Sequence, residues 1–117
     1  MKVVRISELP VAIGSSEMFI GLAERQVIVD QETSSQVRVA LVTFKDGAVN
    51  RMHTHDVDQI LVITAGEGIV QAEGKPEQQV KAGDVAIIPA GERHWHGAAP
   101  GKTMSHLTIT TPRKAEG

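Results

Sequence analysis

His53 and His55 are separated by one residue, Gln59 follows four positions later, and His94 lies about 40 residues downstream. On an extended segment, residues two apart project to the same side, so His53 and His55 can present both imidazoles to one point. Three imidazoles and one side-chain oxygen suit a first-row divalent cation, with Mn, Fe, Zn, Ni and Co all compatible with such a set. A single histidine at any of these places would most often ligate nothing. The expectation of one divalent metal ion rests on four positions taken together. Gln59 contributes no charge, so the ion with its protein ligands would keep a full +2 charge. That favours Lewis-acid work, the polarisation of a hydroxyl or carbonyl oxygen, over stabilisation of high-valent iron.

All five histidines fall between residues 53 and 106. His96, two past His94, projects to the same side of a strand, with Trp95 on the other. It either takes part in the chemistry or orients a ligand and satisfies a loop carbonyl. His106 lies on an alternating run in register with Met104, Thr108 and Thr110. If that face lines a cavity, its imidazole is a candidate general base near neutral pH; otherwise it is a hydrogen-bonded core residue. His106 and His96 are therefore the candidate catalytic side chains.

Elements able to hold these groups follow from the hydrophobic pattern. Gln36–Phe44 alternates, with Val37, Val39, Leu41 and Thr43 on one face and Arg38, Ala40, Val42 and Phe44 on the other. Lys45-Asp46-Gly47 reads as a tight reversal. Apolar runs follow at Gln59–Thr64, Gly68–Ala72, Gln78–Val80 and Val85–Ile88. Ala65-Gly66-Glu67, Glu73-Gly74-Lys75-Pro76 and Ala82-Gly83-Asp84 separate them as turns. Met104–Thr110 is a last strand before a polar tail, Thr111–Gly117, expected to fray. The first third is harder to read: Val3–Ile6 and Val27–Val29 are candidate short strands, and Gly14–Gly21 shows no clear period. No helical stripe is sustained anywhere. Short strands at this spacing predict an all-β jelly-roll barrel forming one domain over 1–117, its core at about 36–110.

Composition agrees. Hydrophobic residues make up 41% of 117 and aromatics only 3%, so the core must be built from Val, Ile, Leu and Ala, and branched side chains favour sheet. Cysteine is absent, which excludes disulfides, thiolate ligands and cysteine nucleophiles. The net charge of −2, with no basic patch interleaved with aromatics, gives nucleic acid no footing. No apolar stretch approaches the roughly 20 residues of a membrane helix, and the charged N-terminus lacks the apolar core of a secretion signal. A cytoplasmic protein acting on a small molecule is expected, as a homodimer paired through sheet edges.

At the ligand positions the chain resembles the cupin superfamily. Gly47-x5-His53-x-His55-x3-Gln59-x6-Gly66 is similar to its first motif, with Gln where most members carry Glu. Gly83-x5-Pro89-x-Gly91-x2-His94 is similar to the second, with Ala98 where an asparagine often stands. The resemblance implies a cupin barrel with metal ligands at His53, His55, Gln59 and His94. The stretch Gly91–Pro100 and Met104-Ser105-His106 further resembles the bacterial manganese-dependent hydroxynitrile lyases, which also carry Gln in the first motif. That closer resemblance implies manganese at the site and a metal-bound substrate hydroxyl whose proton passes to His106, releasing cyanide and an aldehyde. Thr110 departs from the longer glutamine usual in those lyases, and their C-terminal extension is missing, so the substrate stays unnamed. Beside a lyase acting on a small hydroxy or carbonyl compound stand three other readings: a dioxygenase or oxidase, a sugar-ring-opening enzyme or isomerase, and a non-catalytic metabolite-binding protein.

Overall fold

A computed structural model of the chain describes residues 1–112. The tail expected to fray lies, beyond Pro112, outside the described residues. Ten strands are formed: β1 (Ala12–Ile13), β2 (Phe19–Ile20), β3 (Ala23–Val29), β4 (Arg38–Phe44) and β5 (Val49–Asn50), then β6 (Gln59–Ala72), β7 (Gln78–Lys81), β8 (Val85–Ile88), β9 (His94–Ala98) and β10 (Met104–Thr110). Among the described residues the one helical piece is a 3-10 turn at Ile6–Glu8. The fold is all-β, a sheet curled into the jelly-roll form that the alternation predicts.

Strand β4 takes the predicted orientation: Ala40, Val42 and Phe44 are buried. It pairs antiparallel with β10 and β3. The central β6 begins against β10 and β8 and ends against β9 and β7. Ala65-Gly66-Glu67, read above as a turn, is instead a corner inside one 14-residue strand. Gly66 adopts φ 76°, a conformation that side chains disfavour, and the ladder with β10 shifts register between Ser105 and His106. The corner moves the chain from one half of the sheet to the other while its hydrogen bonding continues.

The N-terminal third differs from the sequence reading. Val3–Ile6 forms no strand and leads into the 3-10 turn. The short strand expected at Val27–Val29 extends back to Ala23, because pairing with β4 recruits polar residues that carry no apolar signal. Two-residue strands β1 and β2 pair with β3 and β5 and are too short to show a period. The turn at Asp46-Gly47 is as expected, with φ of 47° and 79°. The core packs Phe44, Leu61, Ile63 and Met104 with Ala23, Val42, Ala48, Ile88 and Ala98, the aliphatic composition that three aromatics per hundred residues demand.

Candidate metal centre and cavity

A cavity of about 660 Å³ opens between the two halves of the sheet. The inward faces of β3, β4 and β10 supply one wall, with Arg25, Val27, Ala40, Val42, His106, Thr108 and Thr110 upon it; His53, His55, Gln59 and His96 lie at its inner end.

His53 and His94 are brought together by the main chain. The two residues exchange a pair of backbone hydrogen bonds, each 2.9 Å, as an isolated antiparallel bridge. Their rings lie 4.4 Å apart between centroids. His55 sits on the loop before β6, held in place because its carbonyl accepts the Gly91 N–H at 2.8 Å. Asp58 accepts the Ala90 N–H beside it, also at 2.8 Å. The Pro89–Gly91 turn thus pins the loop carrying the first two histidines. His55 stands 4.8 Å from His53 and 5.5 Å from His94, ring to ring.

Second contacts fix which atom each ring offers. His94 Nδ1 lies 2.8 Å from the Glu92 carbonyl and His53 Nδ1 lies 2.6 Å from the Arg51 carbonyl. A carbonyl only accepts, so both Nδ1 atoms carry the proton and both Nε2 atoms present a lone pair. Gln59, buried at the start of β6, donates from Nε2 to Thr108 Oγ1 at 2.8 Å. Its Oε1 therefore turns to His94 Nε2, 3.3 Å away. Two lone pairs face each other across that gap, an arrangement that a cation between or beside them relieves. The donor set fits a divalent ion on this ground.

His53, His94 and His96 also form a tight group, with ligand atoms all within 4.8 Å of one another, able to hold a metal ion. His96 has a second engagement that the sequence does not reveal. Buried Asn50 accepts the His96 backbone N–H on Oδ1 at 2.8 Å, which fixes its amide orientation. Asn50 Nδ2 then faces the ring, 3.1 Å from Nε2 and 3.4 Å from Nδ1. An amide nitrogen only donates, so the ring must accept, and Asn50 competes with a metal for the His96 lone pair. Burial, followed by the neighbouring His106, His53, His94 and His55, holds this imidazole well below its usual pKa. His96 is neutral.

His106 is buried to 1% exposure against Phe44 and His96, with ring centroids at 5.5 and 4.9 Å. Neither of its ring nitrogens has a hydrogen-bond partner among the described residues. Burial pushes its pKa down to about 4, offset in part by main-chain oxygens nearby. It is a neutral imidazole with an unused lone pair, facing the cavity.

Sequence reasoning missed Asn50, Thr108 and Arg25 as parts of this site. Thr108 was signalled by its alternation with His106; Asn50 and Arg25 gave no signal.

The cupin domain family matches residues 40–110. An (R)-mandelonitrile lyase from Granulicella tundricola is 37% identical over 109 residues, covering 93% of this chain and 83% of the lyase. A solved cupin-like protein from Thermotoga maritima MSB8 is 40% identical with a TM-score of 0.82, over 86% of this chain and 76% of its own. A predicted oxalate decarboxylase from the same organism shares 26% identity and a TM-score of 0.84, over 94% and 98% of the two chains. With the family model matched over more than half of its residues and a relative 37% identical across most of its length, the chain belongs to the cupin family.

Proposed function

We propose that this protein is a metal-dependent lyase acting on a small hydroxy or carbonyl compound. His53, His55, Gln59 and His94 would hold one divalent ion, manganese first among those that suit, with His106 as the general base. The observation that carries the reading is a lone-pair cluster and a buried, neutral imidazole facing one cavity. The relation to an (R)-mandelonitrile lyase supports the reaction class.

When bound, the ion supplies Lewis acidity to a substrate oxygen. Each protein group has a separate task. His106 accepts the substrate hydroxyl proton on a ring nitrogen, which is free because no protein donor occupies it. As the oxygen closes to a carbonyl, the adjacent carbon–carbon bond breaks and its electron pair leaves with the departing carbanion, cyanide in the simplest case. His106 then returns the proton to that group. Val42, Ala40 and Phe44 exclude water from the reacting carbon. Asn50 orients His96, and burial keeps that ring neutral, so that no second cation crowds the base.

The test is metal analysis of the purified protein, followed by anaerobic assay of mandelonitrile cleavage with His53→Ala and His106→Ala. The reading expects a near-stoichiometric metal that His53→Ala removes together with turnover. It also expects His106→Ala to keep the metal and lose at least a hundredfold in kcat. Unchanged turnover in His106→Ala removes the base from the mechanism. A strict requirement for oxygen replaces the lyase reading with an oxidative one.

A further inference from the structure

Arg25 is the one cation on the cavity wall whose charge no described residue answers. Its place follows from register. Arg25 stands opposite Val42, and Val42 stands opposite His106, so the three occupy one transverse row across β3, β4 and β10. Directly paired residues of antiparallel strands project to the same face. Val42 and His106 face the cavity, and Arg25 lines it with them. Two strand spacings separate the backbones of Arg25 and His106, about 10 Å. Both residues line the same cavity.

Of the other charged groups of the wall, Arg38 and Asp30 are already engaged, and the Glu32 carboxylate, which also lines it, forms no ion pair with Arg25. Arg38 donates from its guanidinium to the Ser34 and Val37 carbonyls. The Asp30 carboxylate closes its own turn, accepting from the Glu32 and Thr33 N–H groups and the Thr33 hydroxyl. On the opposite face of β3, Glu24 pairs with Lys45. The Arg25 guanidinium makes neither a hydrogen bond nor an ion pair with any described residue. Arg25 itself is exposed, and the wall beside it is apolar, with Val27, Val29, Ala40 and Val42. An arginine in that setting presents a planar fork of donors matched to a carboxylate, at the far end of an apolar trough from the candidate base.

We infer that the substrate carries a carboxylate distal to its reacting hydroxyl or carbonyl, and that Arg25 binds this carboxylate. The inference rests on the lyase reading for the reacting end alone. Mandelonitrile has no such acid, so the native substrate is a more polar relative of it: an apolar body of a few carbons or one ring, an oxygen function at one end and a carboxylate at the other.

The test is titration calorimetry with 4-formylbenzoate and 4-formylbenzamide, equal in length and differing only in charge. The proteins are manganese-loaded wild type, Arg25→Gln and Arg25→Lys. Wild type is expected to bind the acid at least tenfold more tightly than the amide. Arg25→Gln should bring that ratio below about threefold by weakening the acid alone, and Arg25→Lys should keep part of it. His53→Ala, prepared without metal, should retain the preference for the acid, since Arg25 is intact. Persistence of the preference there, with no turnover of any cyanohydrin by wild type, would defeat the lyase reading and leave the Arg25 assignment standing. Equal binding of the two compounds by wild type overturns the assignment, as does failure of the acid to bind at millimolar concentration. So does a preference that survives Arg25→Gln or disappears in His53→Ala, either of which would place the carboxylate on the metal.

Discussion

Replacing His106 by Leu should change the acid sensitivity of the fold by an amount the structure sets. In the folded chain the imidazole is buried and unpartnered, with a pKa of about 4; in the unfolded chain it returns to about 6.5. Between those values the unfolded state binds more protons than the folded one, so stability rises with pH across that window. Its contribution is complete above pH 6.5 and falls away as the pH drops toward 4. From pH 7.5 to 4.5 the loss from this residue alone is about 2.5 kcal/mol by linkage. At roughly 4 °C per kcal/mol for a chain of this size, that corresponds to about 10 °C in Tm. The assay is thermal unfolding of chelator-treated wild type and His106→Leu at half-unit pH steps. Leu is close in volume and needs no proton, so its curve should be the flatter by about 10 °C over that range. His96 also carries a depressed pKa, to which His106 contributes; removing His106 relaxes it and adds to the flattening. Curves that stay parallel within 2 °C would refute the assignment of His106 as a buried neutral base. At pH 7.5 the same variant should bind added manganese as wild type does and, on the lyase reading, lose turnover.

Thr108→Val removes the acceptor that turns the Gln59 amide, so metal affinity should fall about tenfold by chelator competition while the fold persists. Gly66→Ala should cost about 2 kcal/mol or more in chemical denaturation, because its Cβ would meet the Thr103 carbonyl at a positive φ. Gly74→Ala, with the same sign of φ and open space around it, should cost about 1 kcal/mol. Two apolar rows cross the outer face of the sheet, Leu41–Leu107–Val62–Val85 and Val39–Ile109–Ile60–Ile87. They carry no charge and leave Ile87 73% exposed, which predicts pairing with a second copy through this face. Light scattering should give a dimer mass that Ile87→Glu halves; an unchanged mass would refute it.

What was legible in the sequence divides along physical lines. Alternation is a reliable sign where one face of a strand is buried and the other is not, and β4 satisfies that condition from Val39 to Phe44 and β10 from Met104 to Leu107. The cavity wall and the position of His106 were readable for this reason. The first half of β3 escaped notice because it lies near the sheet margin, where Glu24, Arg25 and Gln26 are held by pairing with β4 rather than by burial. Asn50 escaped for a different reason. Its task is to satisfy one backbone N–H and one ring at a residue 46 positions away, and no local pattern encodes such a partner. The candidate metal ligands needed no fold at all to be suspected, since ligand chemistry restricts residue type more tightly than packing does.

The corner at Gly66 shows how the two motifs become one site. Gln59 begins β6, and Ala72 at its end pairs with His94. A straight strand would hold those ends about 43 Å apart, yet Gln59 Oε1 lies 3.3 Å from His94 Nε2. The strand must therefore double back within its own length. The sharpest departure along it is the positive φ at Gly66, where a side chain would collide with the Thr103 carbonyl. Ala65-Gly66-Glu67 looks like a turn in the sequence because the chain does reverse there. It remains a strand because β10 shifts register to follow it. The glycine closing the first motif thus serves the candidate metal centre without touching it, by folding β6 so that its first residue meets the histidine opposite its last.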